Sequence, residues 1–185
     1  ILGAANIAKK AIIPAVRGLD NHYELVGIAS RTEESANAMA QQFGTTGYPS
    51  YEEMFEKGAL DAVYIPLPNS MHYEWIKRAI NDGIHILVEK SLCVMAEQVE
   101  EVVSLAEEKN LVLVENFQFR FHPQLQKIKE LVDEGVIGEL RSVRSSFGFP
   151  PFPDSNNIRY QKELGGGALL DAGAYPIKVA QEFLG

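Results

Sequence analysis

The chain has 185 residues, of which 46% are hydrophobic and 23% charged, so it is long and apolar enough to form a packed core. Its 17 basic and 25 acidic residues give a formal net charge of −8, and no long run of Lys and Arg is present. These values exclude a disordered chain, a collagen and a disulfide scaffold. They also argue against a nucleic-acid or anionic-membrane partner, because either partner requires a clustered basic face.

The cysteine, the histidines and the hydrophobic residues indicate the compartment of the protein and whether it has membrane helices or metal sites. Cys93 has no partner cysteine in the chain, which makes a small buried side chain and a cytoplasmic protein the default expectations. No apolar run approaches the roughly 18 to 20 residues of a membrane helix. The four histidines are scattered without ligand spacing, so we expect no metal site. The chain opens without Met, within a strand already under way, and we expect it to be a fragment at one or both ends.

Short β-rich runs alternate with amphipathic stretches through the first two-thirds of the chain. This alternation predicts an α/β fold with right-handed crossovers and a doubly wound, mostly parallel sheet. Ligands bind beyond the carboxyl ends of the strands in such sheets, so the residues just after each strand are the candidates for a binding site. The predicted strands cover residues 24–30, 62–67, 84–89 and 112–116, and the predicted helices cover residues 33–43, 72–82 and 96–109.

The pattern changes near residue 116. Residues 123–134 predict a helix, and residues 139–149 predict a longer strand whose alternating polar positions are typical of a sheet with one solvated face. Three prolines make residues 149–157 a loop. We therefore expect a first domain over residues 1–116 and the beginning of a second over residues 117–185. The second would be an α+β domain with a mainly antiparallel open sheet, incomplete in this chain.

A glycine turn joins the first strand to the first helix. Gly3 begins a G-x-G-x-x-[GA] pattern in which Ala5 replaces the second glycine. The helix that starts near Asn6 and Ile7 offers N–H groups and a positive dipole end, which predicts phosphate binding by this turn. An ordinary strand-to-helix turn would explain the same residues without a ligand.

Ser30 and Arg31 end the second strand, where an NAD-specific site has Asp or Glu to bind the ribose 2′-hydroxyl. A hydroxyl and a cation suit a 2′-phosphate instead, and a guanidinium can also stack on adenine. This favours NADP(H) as cofactor, with NAD(H) possible. The alternative is a solvated Arg31 that pairs with Glu33 or Glu34.

The next two strand ends are expected at the same cleft. Leu67, Asn69 and His72 belong to a proline-bounded loop before a helix, and we expect them to line the cofactor, although capping and packing explain them as well. Glu89 and Lys90 place two charges at the end of a buried strand, where unpaired burial is costly. Adjacent strand residues point to opposite faces, so we do not expect these two to be simply each other's partner. A lysine in a cleft can donate a proton to a carbonyl oxygen as hydride reaches the carbon.

A second candidate site lies near the end of the chain. Three glycines, residues 165–167, let backbone approach a ligand, and Asp171 and Tyr175 share a helical face because they are four residues apart. A carboxylate and a phenol on one face form a candidate pair of proton donor and orienting group. The alternative is a capped core helix with Tyr175 hydrogen-bonded in packing.

Taken in order, these segments resemble the Gfo/Idh/MocA oxidoreductases, a family named for glucose–fructose oxidoreductase and inositol dehydrogenase. Residues 158–178 are similar to the branch of sugar-nucleotide 3-ketoreductases, which reduce keto-deoxysugars with NADPH. The resemblance implies a Rossmann cofactor domain, a homo-oligomer, and a second domain that continues well past Gly185. The segments that carry it are the glycine turn, Ser30-Arg31, residues 65–72, Glu89-Lys90-Ser91 and residues 165–175.

The resemblance also implies roles for single residues. Lys90 matches the lysine of the family's Glu-Lys-Pro motif, with Ser91 in place of the proline, and would contact the substrate and donate a proton. Asp171 and Tyr175 match the family's Asp-x-Gly-x-[His/Tyr] motif. Arg120 falls where members often place a cleft-facing arginine that contacts the cofactor, although an ion pair to Asp or Glu explains it equally well.

The expected activity is hydride transfer between NADPH and a keto-sugar or sugar nucleotide. The proton for the developing alkoxide comes from Lys90, or from Tyr175 positioned by Lys90 and Asp171. A sugar or trans-dihydrodiol dehydrogenase working in the oxidative direction is the rival enzyme. A non-catalytic NADP-binding regulator is the alternative from a different class, since a fold does not fix a function.

Overall fold

Five short parallel strands organise the first of the two units into which the chain divides. The computed structural model describes residues 1–185; the first unit spans residues 1–115 and the second spans residues 116–185. The strands are β1 (Gly27–Ala29), β2 (Thr46–Tyr48), β3 (Ala62–Ile65), β4 (His85–Val88) and β5 (Leu113–Glu115).

The helices of the first unit connect these strands. A π-helical turn, Ala8–Ile12, leads into α1 (Ile13–Arg17). The remaining four are α2 (Glu33–Phe43), α3 (Tyr51–Lys57), α4 (Asn69–Asn81) and α5 (Ala96–Glu108). The predictions over residues 33–43, 72–82 and 96–109 are therefore confirmed in kind, with α4 beginning three residues earlier than predicted.

The segment 1–3 connects the two groups of strands. β1 pairs with β2, and β4 pairs with both β3 and β5, all in parallel. Leu2 forms a parallel bridge with Ala29 of β1 and donates its N–H to the carbonyl of Tyr64 in β3, 2.8 Å away. The resulting order is β2, β1, segment 1–3, β3, β4, β5. This confirms the predicted Rossmann fold and places a topological switch point between segment 1–3 and β3.

Two elements of this unit escaped prediction, the three-residue strand β2 and the short helix α3. A three-residue strand is too short to show a period of two. The start of α3 does carry a signal, because the Ser50 side chain accepts a hydrogen bond from the Glu53 N–H at 3.1 Å, as an N-cap does. Serine followed three residues later by glutamate is a capping-box sequence, and it could have located this helix.

The hydrophobic core lies on both faces of the sheet. One cluster packs β3 and β4 against α3, α4 and α5, and the other packs the opposite face against α1 and α2. Ile76 of α4 and Val102 of α5 are both completely buried in the first cluster. Such burial on each side of the strands explains why the strands read as continuous apolar runs.

We expect Ile76→Ala to lower the free energy of unfolding by about 2 to 5 kcal/mol, since it removes buried methyl groups and leaves a cavity. Urea unfolding followed by circular dichroism measures the change. Val103→Ala on the exposed side of α5 is the matched control and should cost far less. Equal losses in the two variants would contradict this description of the core.

The second unit is mainly helical. It contains α6 (Pro123–Asp133) and α7 (Ala174–Leu184), with short 3₁₀ and π-helical turns between and before them. The helix predicted over residues 123–134 and the loop predicted over residues 149–157 are confirmed. The strand predicted over residues 139–149 is wrong, because this stretch forms no regular structure. A strand requires a partner for its backbone hydrogen bonds, and residues 116–185 contain no strand of the expected antiparallel sheet.

Candidate active site

Two loops meet at the switch point of the sheet. Gly3 has φ +128°, a conformation that side chains other than glycine rarely adopt. A Cβ added there would lie 3.0 Å from Leu67 Cδ2, in the loop that follows β3. The absence of a side chain at Gly3 therefore lets the first loop close against the second.

Gly3→Ala should destabilise the first unit by about 1 to 3 kcal/mol, the usual cost of a non-glycine residue in such a backbone conformation. Thermal unfolding measures it. Gly83→Ala is the informative comparison, because Gly83 also has a positive φ (+73°) but no atom within 4 Å of its added Cβ. A larger loss at Gly3 than at Gly83 is expected, and the reverse order would argue against the close approach of the two loops.

The helix after Gly3 begins without a side-chain cap. Ala5 donates its N–H to the Gly3 carbonyl at 2.8 Å, and no side chain bonds to the start of the π-helical turn at Ile7. Asn6 and Ile7 are exposed. A helix start of this kind leaves N–H groups and the positive dipole end open to an anion.

Ser30 and Arg31 follow β1, the strand next to segment 1–3. Ser30 is buried and Arg31 is exposed, and Arg31 pairs with neither Glu33 nor Glu34. The structure therefore contradicts the alternative in which Arg31 forms an ion pair with Glu33 or Glu34. Burial raises the pKa of the Tyr51 phenol, and the positive charge of Arg31 opposes that shift, which places the guanidinium near the start of α3.

His72 occupies a different place from the one predicted. It lies on the inward stripe of α4, four residues before Ile76, and its side chain is completely buried. Its Nδ1 lies 2.8 Å from the Ser91 carbonyl and its Nε2 lies 2.9 Å from the Leu67 carbonyl. The prediction that His72 lines the cofactor is wrong, since a fully enclosed ring with both nitrogens facing backbone carbonyls exposes no atom to a ligand.

The other two residues predicted in the loop after β3 differ in their exposure. Leu67 is largely buried against Gly3, and Asn69 begins α4, where it is partly exposed. This loop is thus held from inside by His72 and from the side by Gly3. Its backbone is fixed in place at the carboxyl edge of the sheet.

Glu89 has a defined partner. Its Oε1 accepts a hydrogen bond from the Tyr64 hydroxyl at 2.7 Å, and burial together with this bond raises the pKa of Tyr64. The Glu89 N–H donates to the Ile65 carbonyl at 3.0 Å, which continues the pairing of β4 with β3. The carboxylate at the end of β4 is therefore satisfied on the Tyr64 side of the sheet.

Lys90 is partly exposed, immediately after Glu89, and the Lys90–Ser91 peptide bond is cis. The turn that follows is tied to β5, because the Leu92 N–H donates to Glu115 Oε1 at 2.8 Å. Glu115 was not among the predicted site residues. The signal that could have found it is the one used for Glu89, a carboxylate at the carboxyl end of a largely apolar strand.

The remaining polar groups of the first unit show no metal chemistry. Cys93 is buried, as expected, and burial raises the pKa of its thiol to about 11, so the thiol stays protonated near neutral pH. Across the 185 residues no group of three or more His, Cys, Asp or Glu is arranged to hold a metal ion. None of the helices combines the length and the apolar composition needed to cross a membrane.

In the second unit, Asp171 is held by an arginine. Arg159 Nε lies 3.2 Å from Asp171 Oδ1 and 3.1 Å from Oδ2, and the Asp171 side chain is 15% exposed. The Arg159 guanidinium also stacks 4.6 Å from the centre of the Phe152 ring. Arg159 was not among the predicted site residues, although residues 158–160 belong to the stretch that resembles the 3-ketoreductases.

Tyr175 lies in an aromatic cluster of the second unit. Its ring centre is 4.7 Å from that of Phe147, 5.7 Å from that of Phe117 and 6.0 Å from that of Phe119. The π-helical turn Leu169–Gly173 runs directly into the helix that carries Tyr175. The cluster fixes the plane of the phenol ring, which is what an orienting environment for a hydroxyl requires.

Arg120 forms an ion pair within the second unit. Its Nε lies 2.5 Å from Glu182 Oε1, and Lys129 pairs with the same carboxylate. The hydrogen bonds from Lys129 and Arg120 hold the pKa of Glu182 below its ordinary value. The ion-pair alternative for Arg120 is thus confirmed, and a contact with the cofactor stays a prediction.

Comparison with known sequence families covers both units. A family described as "Oxidoreductase family, NAD-binding Rossmann fold" matches residues 1–117. The GFO/IDH/MocA C-terminal domain matches residues 125–185.

Curated relatives align along the whole chain. A dTDP-3,4-didehydro-2,6-dideoxy-alpha-D-glucose 3-reductase from Actinomadura kijaniata is 44% identical over 185 residues, which is 100% of this chain and 55% of that protein. D-xylose 1-dehydrogenase (NADP(+)) 2 from Haloferax volcanii is 40% identical over 186 residues, 100% of this chain and 56% of that protein. The chain spans about half the length of the curated relatives it matches.

Solved structures give the same relationship. The crystal structure of a 3-ketoreductase from Actinomadura kijaniata, in complex with NADP and TDP-benzene, has a TM-score of 0.93 at 44% sequence identity. The match covers 100% of this chain and 56% of that one. The same 3-ketoreductase has been solved with a single lysine or a single tyrosine substituted.

Proposed function

This chain belongs to the Gfo/Idh/MocA oxidoreductase family, and from that membership we propose that the protein containing it reduces a nucleotide-linked keto-sugar with NADPH. The observation that carries the proposal is the arrangement at the switch point, where an uncapped helix start follows Gly3 and an exposed Arg31 ends the adjacent strand. A diphosphate suits the first and a 2′-phosphate suits the second.

The residues at the switch point fit NADPH better than NADH. No Asp or Glu occupies the end of β1, where it would accept a hydrogen bond from a ribose 2′-hydroxyl, and Ser30 and Arg31 are there instead. Gly3, Ala5, Asn6 and Ile7 would hold the diphosphate through backbone N–H groups. The 3-ketoreductase from Actinomadura kijaniata was solved with NADP, which supports this assignment.

The residues after β3 and β4 would form the rest of the cofactor site. Leu67 and Asn69 would line the nicotinamide side, and Glu89 would contribute the carboxylate that Tyr64 holds. We assign residues 1–116 to cofactor binding and residues 117–185 to the beginning of the substrate domain.

The chemistry requires a hydride and a proton. NADPH, when bound, supplies the hydride to the carbonyl carbon. Lys90 donates the proton to the carbonyl oxygen, since a lysine side chain can act as a general acid and this one follows Glu89 in a loop that is held on both sides. Tyr175 is the alternative donor, with Asp171 orienting it and Arg159 holding Asp171.

A second enzymatic function has support from the relatives. The D-xylose dehydrogenase from Haloferax volcanii is 40% identical. A trans-1,2-dihydrobenzene-1,2-diol dehydrogenase from Xenopus tropicalis is 34% identical over 157 residues, 84% of this chain and 47% of that protein. These names favour oxidation of a sugar or diol with NADP⁺ as the alternative reaction.

The setting of the enzyme is part of the same proposal. The lone buried Cys93 suits a reducing compartment, so we assign the protein to the cytoplasm. We also propose a homo-oligomer. Several apolar side chains of the second unit are exposed, among them Phe147, Phe149 and Ile177. Their exposure supports the proposal that another protein surface covers them.

The test is an activity assay on the longest expressible form of the protein. NADPH oxidation is followed by fluorescence with a dTDP-linked keto-deoxysugar, and NADP⁺ reduction is followed with D-xylose and with a trans-dihydrodiol. Turnover of the keto-sugar alone is the expected result. Turnover of xylose or the diol alone would establish the alternative, and tight NADPH binding without any turnover would point to a non-catalytic regulator.

A further inference from the structure

His72 connects the two loops that border the proposed active site. Its ring lies between the carbonyl of Leu67, in the loop after β3, and the carbonyl of Ser91, in the loop after β4. Both distances, 2.9 and 2.8 Å, are within hydrogen-bond range, and the tautomer of the neutral ring decides which of the two carbonyls accepts its proton. The residue comes from neither loop, because it belongs to the first turn of α4.

The ring is fixed by packing as well as by these bonds. His72 is completely buried, and Ile76 and Ile80 of the same helix are completely buried too. A ring enclosed in a closely packed core has one orientation available, so its nitrogens act as rigid contact points. A shift of the Ser91 carbonyl would leave a buried polar atom unpaired, which is costly.

The Ser91 carbonyl is directly relevant to Lys90. The carbonyl is one peptide unit from Lys90 and its position is coupled to the backbone that carries the ammonium group. On the other side, the Leu92 N–H is held by Glu115 at 2.8 Å. The turn after Lys90 is thus anchored from two directions, by a helix and by a strand end.

We propose that His72 is a positioning residue, which fixes Lys90 for proton donation by holding the Ser91 carbonyl. This inference rests on the proposed function, because it assigns the role of Lys90 within that reaction. This role of His72 differs from both a contact with the cofactor and the capping of a helix.

The number of hydrogen bonds that a histidine ring can donate determines which variants test this proposal. A neutral ring donates through one nitrogen only, whereas a protonated ring donates through both. Burial lowers the pKa of His72, and the two carbonyl oxygens and the charge of Glu89 oppose that shift. Variants that keep a donor at one position each can therefore separate the two contacts of the ring.

Asparagine and glutamine form a matched pair for this purpose. The amide nitrogen of Asn occupies the position of the histidine Nδ1, and that of Gln occupies the position of Nε2. His72→Asn keeps a donor toward Ser91, and His72→Gln keeps one toward Leu67. Each variant removes the ring and keeps a donor at one of its two contact positions, so we expect both to lose stability through the same loss of packing.

The kinetic expectation differs between the two variants. His72→Gln should lower kcat for the keto-sugar by roughly tenfold with KM little changed, since small displacements of a catalytic group are costly. His72→Asn should retain kcat close to that of the wild type. In a Lys90→Met background, His72→Gln should cause almost no further loss, because a residue that acts through Lys90 has nothing left to position. Equal kcat losses in the Asn and Gln variants, or full additivity with Lys90→Met, would overturn the proposal.

A second readout is independent of turnover. The rate at which Lys90 reacts with an acetylating reagent, measured by mass spectrometry, should change in His72→Gln and match the wild type in His72→Asn. Lys57, an exposed side chain, provides the internal reference in each sample. If the wild type reduces no keto-sugar, the proposed function fails, and this measurement still decides the inference. Equal Lys90 rates in all three proteins would overturn it.

Discussion

Lys90→Met is expected to lower the rate of keto-sugar reduction by on the order of 10² to 10⁴, the usual contribution of a general acid. Methionine keeps much of the length of the side chain and removes the ammonium group. The cofactor site at Gly3 and Arg31 is untouched, so NADPH affinity should be retained. Steady-state kinetics measure kcat/KM, and fluorescence titration measures the dissociation constant for NADPH.

Lys57→Met is the matched control for this substitution. Lys57 is exposed and pairs with Glu53 at 2.6 Å on the surface of α3. An exposed ion pair of this kind contributes little to stability, so the control should keep wild-type turnover. Unchanged turnover in Lys90→Met would contradict the assignment of Lys90 as the proton donor. A loss confined to Tyr175→Phe would instead make the phenol of Tyr175 the proton donor.

Arg31→Ala is expected to weaken NADPH binding by about 10- to 100-fold, because hydrogen bonds to charged groups contribute about 1.5 to 3 kcal/mol. NADH lacks the 2′-phosphate, so its affinity should change little. The ratio of the two dissociation constants, measured by fluorescence titration, is the quantity that reports on Arg31. Since Arg31 is exposed, its replacement should leave the fold intact.

Arg78→Ala provides the control for the Arg31 measurement. Arg78 lies in the last turn of α4 and pairs with Asp82 at 2.6 Å. Crossover helices run antiparallel to the strands, so the end of α4 lies at the opposite edge of the sheet from the proposed cofactor site. An equal loss of NADPH affinity in both variants would indicate a general charge effect. Parallel weakening of NADPH and NADH by Arg31→Ala would contradict the 2′-phosphate assignment.

The candidate site residues that follow the strands could be predicted from the sequence. Runs such as residues 84–89 are apolar throughout, so they identify strands buried on both faces, and the charged residues that follow them must lie at the sheet edge. Glu89 and Lys90 were predicted from this pattern. The same pattern at residues 113–115 would have added Glu115, whose carboxylate accepts a hydrogen bond from the Leu92 N–H in the candidate site.

Other features depended on atoms that are distant in sequence. Whether residues 139–149 form a strand depends on a partner strand, and the chain through residue 185 contains none in its second unit. The bond between Arg159 and Asp171 joins residues twelve apart across a glycine-rich segment without periodic pattern. A local pattern contains no information about such contacts, because their energy depends on three-dimensional packing.

The sequence by itself determined the fold class, because the fold class depends on the period of the hydrophobic residues. It also determined the family and the charged residues that follow the strands, because both depend on short motifs. Only the tertiary structure decided where the His72 ring lies and which groups it contacts. Its position in the first turn of a helix fits a cap, a cofactor ligand or a core residue equally well. The choice depends on which carbonyls the folded chain brings to its two nitrogens, and those carbonyls belong to Leu67 and Ser91, five and nineteen residues away.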